Sequence, residues 1–375
     1  MAARRSLLLL AGILVGFSGR AGAADDPGER LAAFFRPPKE FVGEFGSYRS
    51  PLKFADGRPV KTADDWRKRR QEIRKTWHEL MGPWPALIAK PKIEYLAKER
   101  RDNLTQHHIR LEIAPGLTTE DAYLLVPDGE KPAPAVLVVF YDAKTGIGQG
   151  RSPRCDFAYQ LAKRGFVTLS LGSPPATFYP NKEKATLQPL SFHAYAAANC
   201  RNALANLPRV DPKRIGVIGH SYGGKWAMFA ACLDDGFACG VWSDPGIVFD
   251  EKRSNVNYWE PWYLGYEPNR ERKPGIPNDK NPRTGAYKRL IETGHDLHEL
   301  QALMAPRPFL VSGGSEDSPE RWKPLNHVIA VNDLLGQKNR VAMTNRKGHS
   351  PTEESNEQIY LFFEHVLKPG QPNKR

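Results

Sequence analysis

The chain has 375 residues, 40% of them apolar and 26% charged, a composition that excludes a disordered or collagen-like polypeptide and allows one large core. Lysine and arginine outnumber aspartate and glutamate by 54 to 42, a net charge of +12. No dense basic run carries interleaved aromatics, so nucleic acid is not an expected partner, and the excess is that of a solvated face open to anionic partners.

Arg4 and Arg5 precede an uncharged apolar stretch over residues 7–17, followed by Ala21-Gly22-Ala23. The stretch is shorter than the ~20 residues that cross a bilayer, and the pattern is that of an export signal over residues 1–23. Loss of Arg4, Arg5 and Arg20 with that leader brings the charge to about +9. A secreted or periplasmic protein with no membrane span after cleavage is expected. The four cysteines, Cys155, Cys200, Cys232 and Cys239, match no zinc or redox spacing. They are expected as buried thiols, with Cys232 and Cys239 the one pair near enough in sequence to suspect of bonding. No metal or cofactor is expected.

Residues 24–90 form an arm and a helix in this scheme. Residues 25–57 are rich in Pro, Gly and aromatics and predict an irregular arm. Thr62-Ala63-Asp64-Asp65 is a capping box for a helix that carries Trp66, Ile73, Trp77, Leu80 and Met81 at helical spacing and stops at Gly82-Pro83. Alternation over 93–96, 107–113 and 122–126 predicts antiparallel strands. Residues 135–141, 166–171 and 214–219 are continuous apolar runs, as in strands buried on both faces, and helical patterns cover 156–164, 192–207 and 225–233. Strands at 238–242, 308–312 and 340–344 and helices at 327–335 and 356–367 complete the series. The sum is an α/β class over residues 91–370, a mostly parallel central sheet flanked by helices. One insertion, residues 247–303, interrupts it before the penultimate strand. It has no strong strand signal but carries Tyr258, Trp259, Trp262, Tyr263 and Tyr266, and so many aromatics predict an ordered, lid-like segment, either packed by its own rings or presenting them to a ligand.

Gly219-His220-Ser221-Tyr222-Gly223 fits G-x-S-x-G, with a buried strand before it and a helix after it. That context holds a serine on a sharp turn with its hydroxyl exposed, flanked by glycines where a Cβ would collide. A serine nucleophile needs a base, and the base an orienting carboxylate. In the chain order Ser, acid, His, the base is His349, in a Gly-containing loop between the last strand and the last helix, ahead of His295, His298, His327 and His365. Asp317, in Gly313-Gly314-Ser315-Glu316-Asp317 after strand 308–312, is the first choice of acid, over Glu316. Asp244, in Ser243-Asp244-Pro245-Gly246 after the preceding strand, is the alternative. The oxyanion donors expected are the N–H of Tyr222 and one from Asp142 or Ala143.

From about residue 90 onward, on this elbow and these loops, the chain resembles the α/β-hydrolase superfamily. Gly219-His220-Ser221-Tyr222-Gly223-Gly224 is similar to the elbow of prolyl-oligopeptidase-type peptidases and their dienelactone-hydrolase-like esterase relatives. Gly224-Lys225, Asp244 and Trp322 resemble features of the glucuronoyl esterases and acetyl-xylan-esterase-like enzymes. In that family the equivalent Lys and Trp line the sugar site, so the resemblance implies Lys225 and Trp322 as substrate contacts. The chain departs from the family at His220-Ser221-Tyr222, where Cys-Ser-Arg is usual and the arginine helps stabilise the oxyanion. Trp259 and Trp262 are candidates for a sugar platform, since flat rings bury sugar faces while their polar tips stay wet. The resulting expectation is a secreted serine carboxylic-ester hydrolase acting on glucuronoyl or acetyl esters of polysaccharides or their fragments, through an acyl-enzyme on Ser221. The alternative is a small serine peptidase or aminoacyl-ester hydrolase.

Overall fold

The computed structural model describes residues 27–368, so the proposed export signal, residues 1–23, lies outside the described residues. The strands are β1 (Ile93–Arg101), β2 (Leu104–Ala114), β3 (Leu117–Thr119), β4 (Ala122–Pro127), β5 (Ala133–Val139), β6 (Val167–Leu171), β7 (Val210–His220), β8 (Cys239–Ser243), β9 (Phe309–Gly313) and β10 (Val341–Asn345). They form one sheet in the order β1-β2-β4-β6-β5-β7-β8-β9-β10, with β3 paired to β2. The pairings from β1 to β4, and that of β4 with β6, are antiparallel, while β6, β5, β7, β8, β9 and β10 run parallel.

The helices are α1 (Pro27–Ala32), α2 (Ala63–Met81), α3 (Ala143–Gly146), α4 (Phe157–Lys163), α5 (Pro189–Ala205), α6 (Tyr222–Leu233), α7 (Gly285–Glu292), α8 (Leu297–Ala302), α9 (Trp322–Leu334) and α10 (Glu353–Leu367). They cover both faces of the sheet. Ala135, Leu137 and Val139 of β5 pack with α2, α5, α6, α8 and α9, whereas Val136 and Val138 pack with α1, α4 and α10. Successive side chains of a strand point to opposite faces, so a strand covered on both must be apolar throughout.

The arm and α2 lie against this core. The α2 capping box is complete: Thr62 Oγ1 accepts from Asp65 N at 3.1 Å, and Asp65 Oδ2 accepts from Thr62 N at 3.1 Å. Its buried stripe is Trp66, Ile73, Trp77 and Met81. Side chains of α8 and α9 pin the arm by its backbone carbonyls. His298 Nε2 lies 2.6 Å from Arg49 O, His327 Nε2 lies 3.1 Å from Phe45 O, and Asn326 Nδ2 donates to Phe41 O and Glu44 O, both at 2.7 Å. All four cysteines are buried and free, so Cys232 and Cys239 are not bonded to each other. The insertion contains two helices, α7 and α8, that its Pro- and Asn-rich sequence concealed, and Tyr258, Trp259, Tyr263 and Tyr287 bury their rings in the larger core cluster. Because β5, β7, β8, β9 and β10 are parallel, their carboxyl ends share one edge, where ligands of open α/β sheets bind.

Candidate active site

β7 ends at His220 and α6 begins at Tyr222, so Ser221 forms the turn between them. Its backbone lies at φ 55° and ψ −115°, a conformation that costs a non-glycine residue about 1–3 kcal/mol. The Ser221 N–H donates to Ser243 O at 2.8 Å, which ties the turn to the end of β8. Gly223 lets α6 cross close over β5, for a Cβ there would stand 2.1 Å from Val139 O.

His349 occupies the loop between β10 and α10. Its Nε2 is 2.9 Å from Ser221 Oγ, and its Nδ1 is 2.7 Å from Asp244 Oδ2. A neutral imidazole in this setting donates Nδ1–H to the carboxylate and accepts the serine hydroxyl proton at Nε2. Asp244 is fully buried just past β8, at φ 51°. Its Oδ1 accepts from the N–H groups of Gly314, Glu316 and Asp317 at 2.7, 3.1 and 2.9 Å. Burial alone would raise its pKa. The hydrogen bond from His349 and the charge of Arg346 outweigh that and hold the carboxyl below its ordinary value. Gly314 makes room for it, since a Cβ there would lie 2.7 Å from Asp244 Oδ2.

The carboxylate that meets His349 is therefore Asp244 and not the first choice, Asp317. Asp317 points back across the sheet edge and accepts from Gly246 N at 2.9 Å and Ile247 N at 2.6 Å. Each aspartate thus holds the loop that carries the other. Burial, and then the charge of Asp244, raise the Asp317 pKa. Both residues follow neighbouring parallel strands, so chain order could not show which side chain turns toward the histidine.

A sequence profile of the prolyl oligopeptidase family matches residues 197–369, from within α5 past the end of α10. No curated protein matches the sequence. Among solved structures, a glucuronoyl esterase from Solibacter usitatus is 19% identical with a TM-score of 0.64, over 87% of this chain and 99% of that one. A carbohydrate esterase family 15 glucuronoyl esterase from Caldicellulosiruptor kristjansonii is 21% identical, with a TM-score of 0.63 over 89% and 94% of the two chains. A glucuronoyl esterase from Sporotrichum thermophile, in complex with methyl 4-O-methyl-beta-D-glucopyranuronate, is 16% identical, with a TM-score of 0.57 over 87% and 88%. The chain has the fold of the α/β-hydrolases.

The surface beside Ser221 is aromatic. The Tyr141 side chain neighbours that of Ser221. Its ring stacks on Tyr222 at 4.8 Å, Tyr222 neighbours Tyr263 at 6.0 Å, and Tyr263 neighbours Trp262 at 6.2 Å. Tyr141 is 55% exposed and Trp262 39%, whereas Tyr222 and Tyr263 are buried, so the two outer rings are the ones open to a ligand. Trp262 thus keeps its place as a candidate platform. Trp259 does not: it is buried, and its Nε1 donates to Glu260 Oε1 at 3.0 Å.

Two further expectations change. Trp322 is the first residue of α9 and is buried in the larger core cluster. Lys225 is buried as well, and its Nζ donates to Pro245 O at 2.7 Å and Asn255 O at 3.0 Å while facing the Tyr258 ring at 5.0 Å. Burial lowers its pKa to about 8, against the opposing charges of Asp317, Glu316 and Asp244. Both side chains serve packing here; the one positive charge fastens the start of the insertion. Of the expected oxyanion donors, Ala143 N is already engaged, donating to Asp121 Oδ1 at 3.0 Å. The N–H groups of Tyr222 and Asp142 have no acceptor among the described residues. Sequence patterns missed Tyr141, whose only signal was its place at the end of a buried run.

Proposed function

We propose that this chain is a serine hydrolase, an exported carbohydrate esterase that cleaves glucuronoyl or related acyl esters through an acyl-enzyme on Ser221. The observation that carries the proposal is the contact chain from Ser221 Oγ to His349 to Asp244, opening onto the exposed rings of Tyr141 and Trp262. The fold shared with glucuronoyl esterases supports the substrate class, as does the sugar uronate held by the Sporotrichum enzyme. The basic residues 4–5 and apolar residues 7–17 support export.

In this mechanism His349 Nε2 takes the proton of Ser221 as Oγ attacks the ester carbonyl, and Asp244 stabilises the imidazolium that forms. The Tyr222 N–H, at the start of α6, and the Asp142 N–H meet the negative charge on the carbonyl oxygen, with the Tyr141 hydroxyl beside them. His349 then returns the proton to the departing alcohol, leaving Ser221 acylated. A water molecule, deprotonated by the same imidazole, attacks the acyl-enzyme, and His349 returns that proton to Ser221 Oγ as the acid leaves. The profile match to the prolyl oligopeptidase family favours a second reading, cleavage of an aminoacyl amide by the same steps.

A substrate panel separates the two: benzyl glucuronate, acetylated xylan, p-nitrophenyl acetate and an aminoacyl p-nitroanilide. Turnover of the sugar esters, lost in Ser221→Ala, is the expected result. Turnover of the anilide alone would establish the peptidase reading instead.

A further inference from the structure

Arg346 directly follows β10 and precedes His349 by three residues in the same loop. Its guanidinium spans the ends of the neighbouring strands. One terminal nitrogen donates to Ser312 O at 2.8 Å and Ser312 Oγ at 3.1 Å on β9. The other donates to Ser243 Oγ at 3.3 Å, the last residue of β8, and to His349 O at 2.5 Å. Nε donates to Ser350 O at 2.9 Å and His349 O at 3.2 Å. Ser243 and Ser312 are fully buried, so the fork grips groups that water cannot serve. The planar guanidinium offers five donors in fixed directions, which a lysine cannot reproduce.

The same contacts reach His349 from a second side. Ser243 Oγ lies 3.1 Å from His220 Nδ1, and the His220 ring packs 4.7 Å from the His349 ring. Burial, with the charges of His349 and Arg346, lowers the His220 pKa to about 3, so this neighbour is a neutral wall for the imidazole. We propose that Arg346 is a positioning residue: its fork holds the His349 loop on the ends of β8 and β9, and its fixed charge sides with the Asp244 carboxylate. The proposal rests on the reading of Ser221, His349 and Asp244 as nucleophile, base and acid.

The charged and titratable groups that bear on the Asp244–His349 pair are His220 at the end of β7, Asp317 after β9, Arg346 after β10 and Lys225 on α6. Removing the Arg346 cation makes the pair easier to protonate. Since the unprotonated base is the active form, the acid limb of the rate profile must then move to higher pH.

The test is the pH dependence of kcat and kcat/KM on p-nitrophenyl acetate for the wild-type chain, Arg346→Lys, Arg346→Met and Ser221→Ala. Arg346→Lys keeps the charge and loses the fork, so its acid limb stays in place while kcat falls about tenfold to a hundredfold. Arg346→Met loses both, so kcat falls and the limb rises by about half a pH unit or more, and added guanidinium restores part of the rate. Wild-type kcat and limb in both variants would overturn the proposal. So would a loss in Arg346→Met with an unmoved limb and no rescue, the pattern of a merely structural side chain. If Arg346→Met does not fold by circular dichroism, wild-type kcat in Arg346→Lys overturns the proposal on its own. Activity surviving in Ser221→Ala would instead remove the underlying triad reading.

Discussion

Asp244 and Asp317 are the same residue type, on adjacent strand ends, both fully buried, yet their carboxylates have different work. Asp244 accepts from the imidazole, and Asp317 accepts only backbone N–H groups. Asp244→Asn presents an amide that no longer fixes the imidazole tautomer, and kcat on an activated ester is expected to fall by about 10³- to 10⁴-fold. Asp317→Asn keeps the backbone N–H that serves Asp244, so its loss in kcat should stay near tenfold or less. The amide does turn one acceptor into a donor facing Gly246 or Ile247, a cost of about 1–3 kcal/mol, and the thermal midpoint should drop. Equal loss of kcat in the two variants would mean that the roles are shared.

At the scale of elements, Asp296 ties the first residues of the insertion to the start of α8. It sits at the N-cap of α8, where its Oδ1 accepts from Phe249 N at 2.9 Å and Leu297 N at 2.6 Å. Burial pushes its carboxyl up to about 7, against these two N–H groups and the charge of Arg321. The ordinary aspartate value is near 4. Between about pH 4 and 7 the folded chain therefore keeps a proton that the unfolded chain has released. This group's contribution to stability accordingly falls as pH rises through that window and is level above it. Asp296→Asn cannot ionise, so relative to wild type it should gain stability from about pH 5 to 8, read by urea unfolding at fixed temperature. Parallel wild-type and variant curves across that range would contradict the assignment.

Across the whole molecule, what could be read ahead of the structure was what periodicity and turn chemistry encode. The apolar run at 135–141, the Thr62 capping box and the glycines around Ser221 each make a local demand, and each finds its local solution. Contacts between strand ends were not legible, because they depend on side-chain direction across the sheet edge. The exchange of Asp317 for Asp244 beside His349 is of this kind, as are the burial of Lys225 and Trp322 and the approach of Tyr141 to Ser221. The helices α7 and α8 were hidden for another reason: they are only 8 and 6 residues long and are held by burial of the aromatic cluster, not by their own propensity.

The central claim is that Ser221, activated by His349 and Asp244, is the nucleophile. Intact-mass spectrometry after treatment with a fluorophosphonate, followed by peptide mapping, tests it most directly. One adduct per chain is expected, on Ser221, absent in Ser221→Ala, formed far more slowly in Asp244→Asn and at near wild-type rate in Asp317→Asn. An adduct on another residue, no adduct on the folded wild-type chain, or slow labelling confined to Asp317→Asn would contradict it.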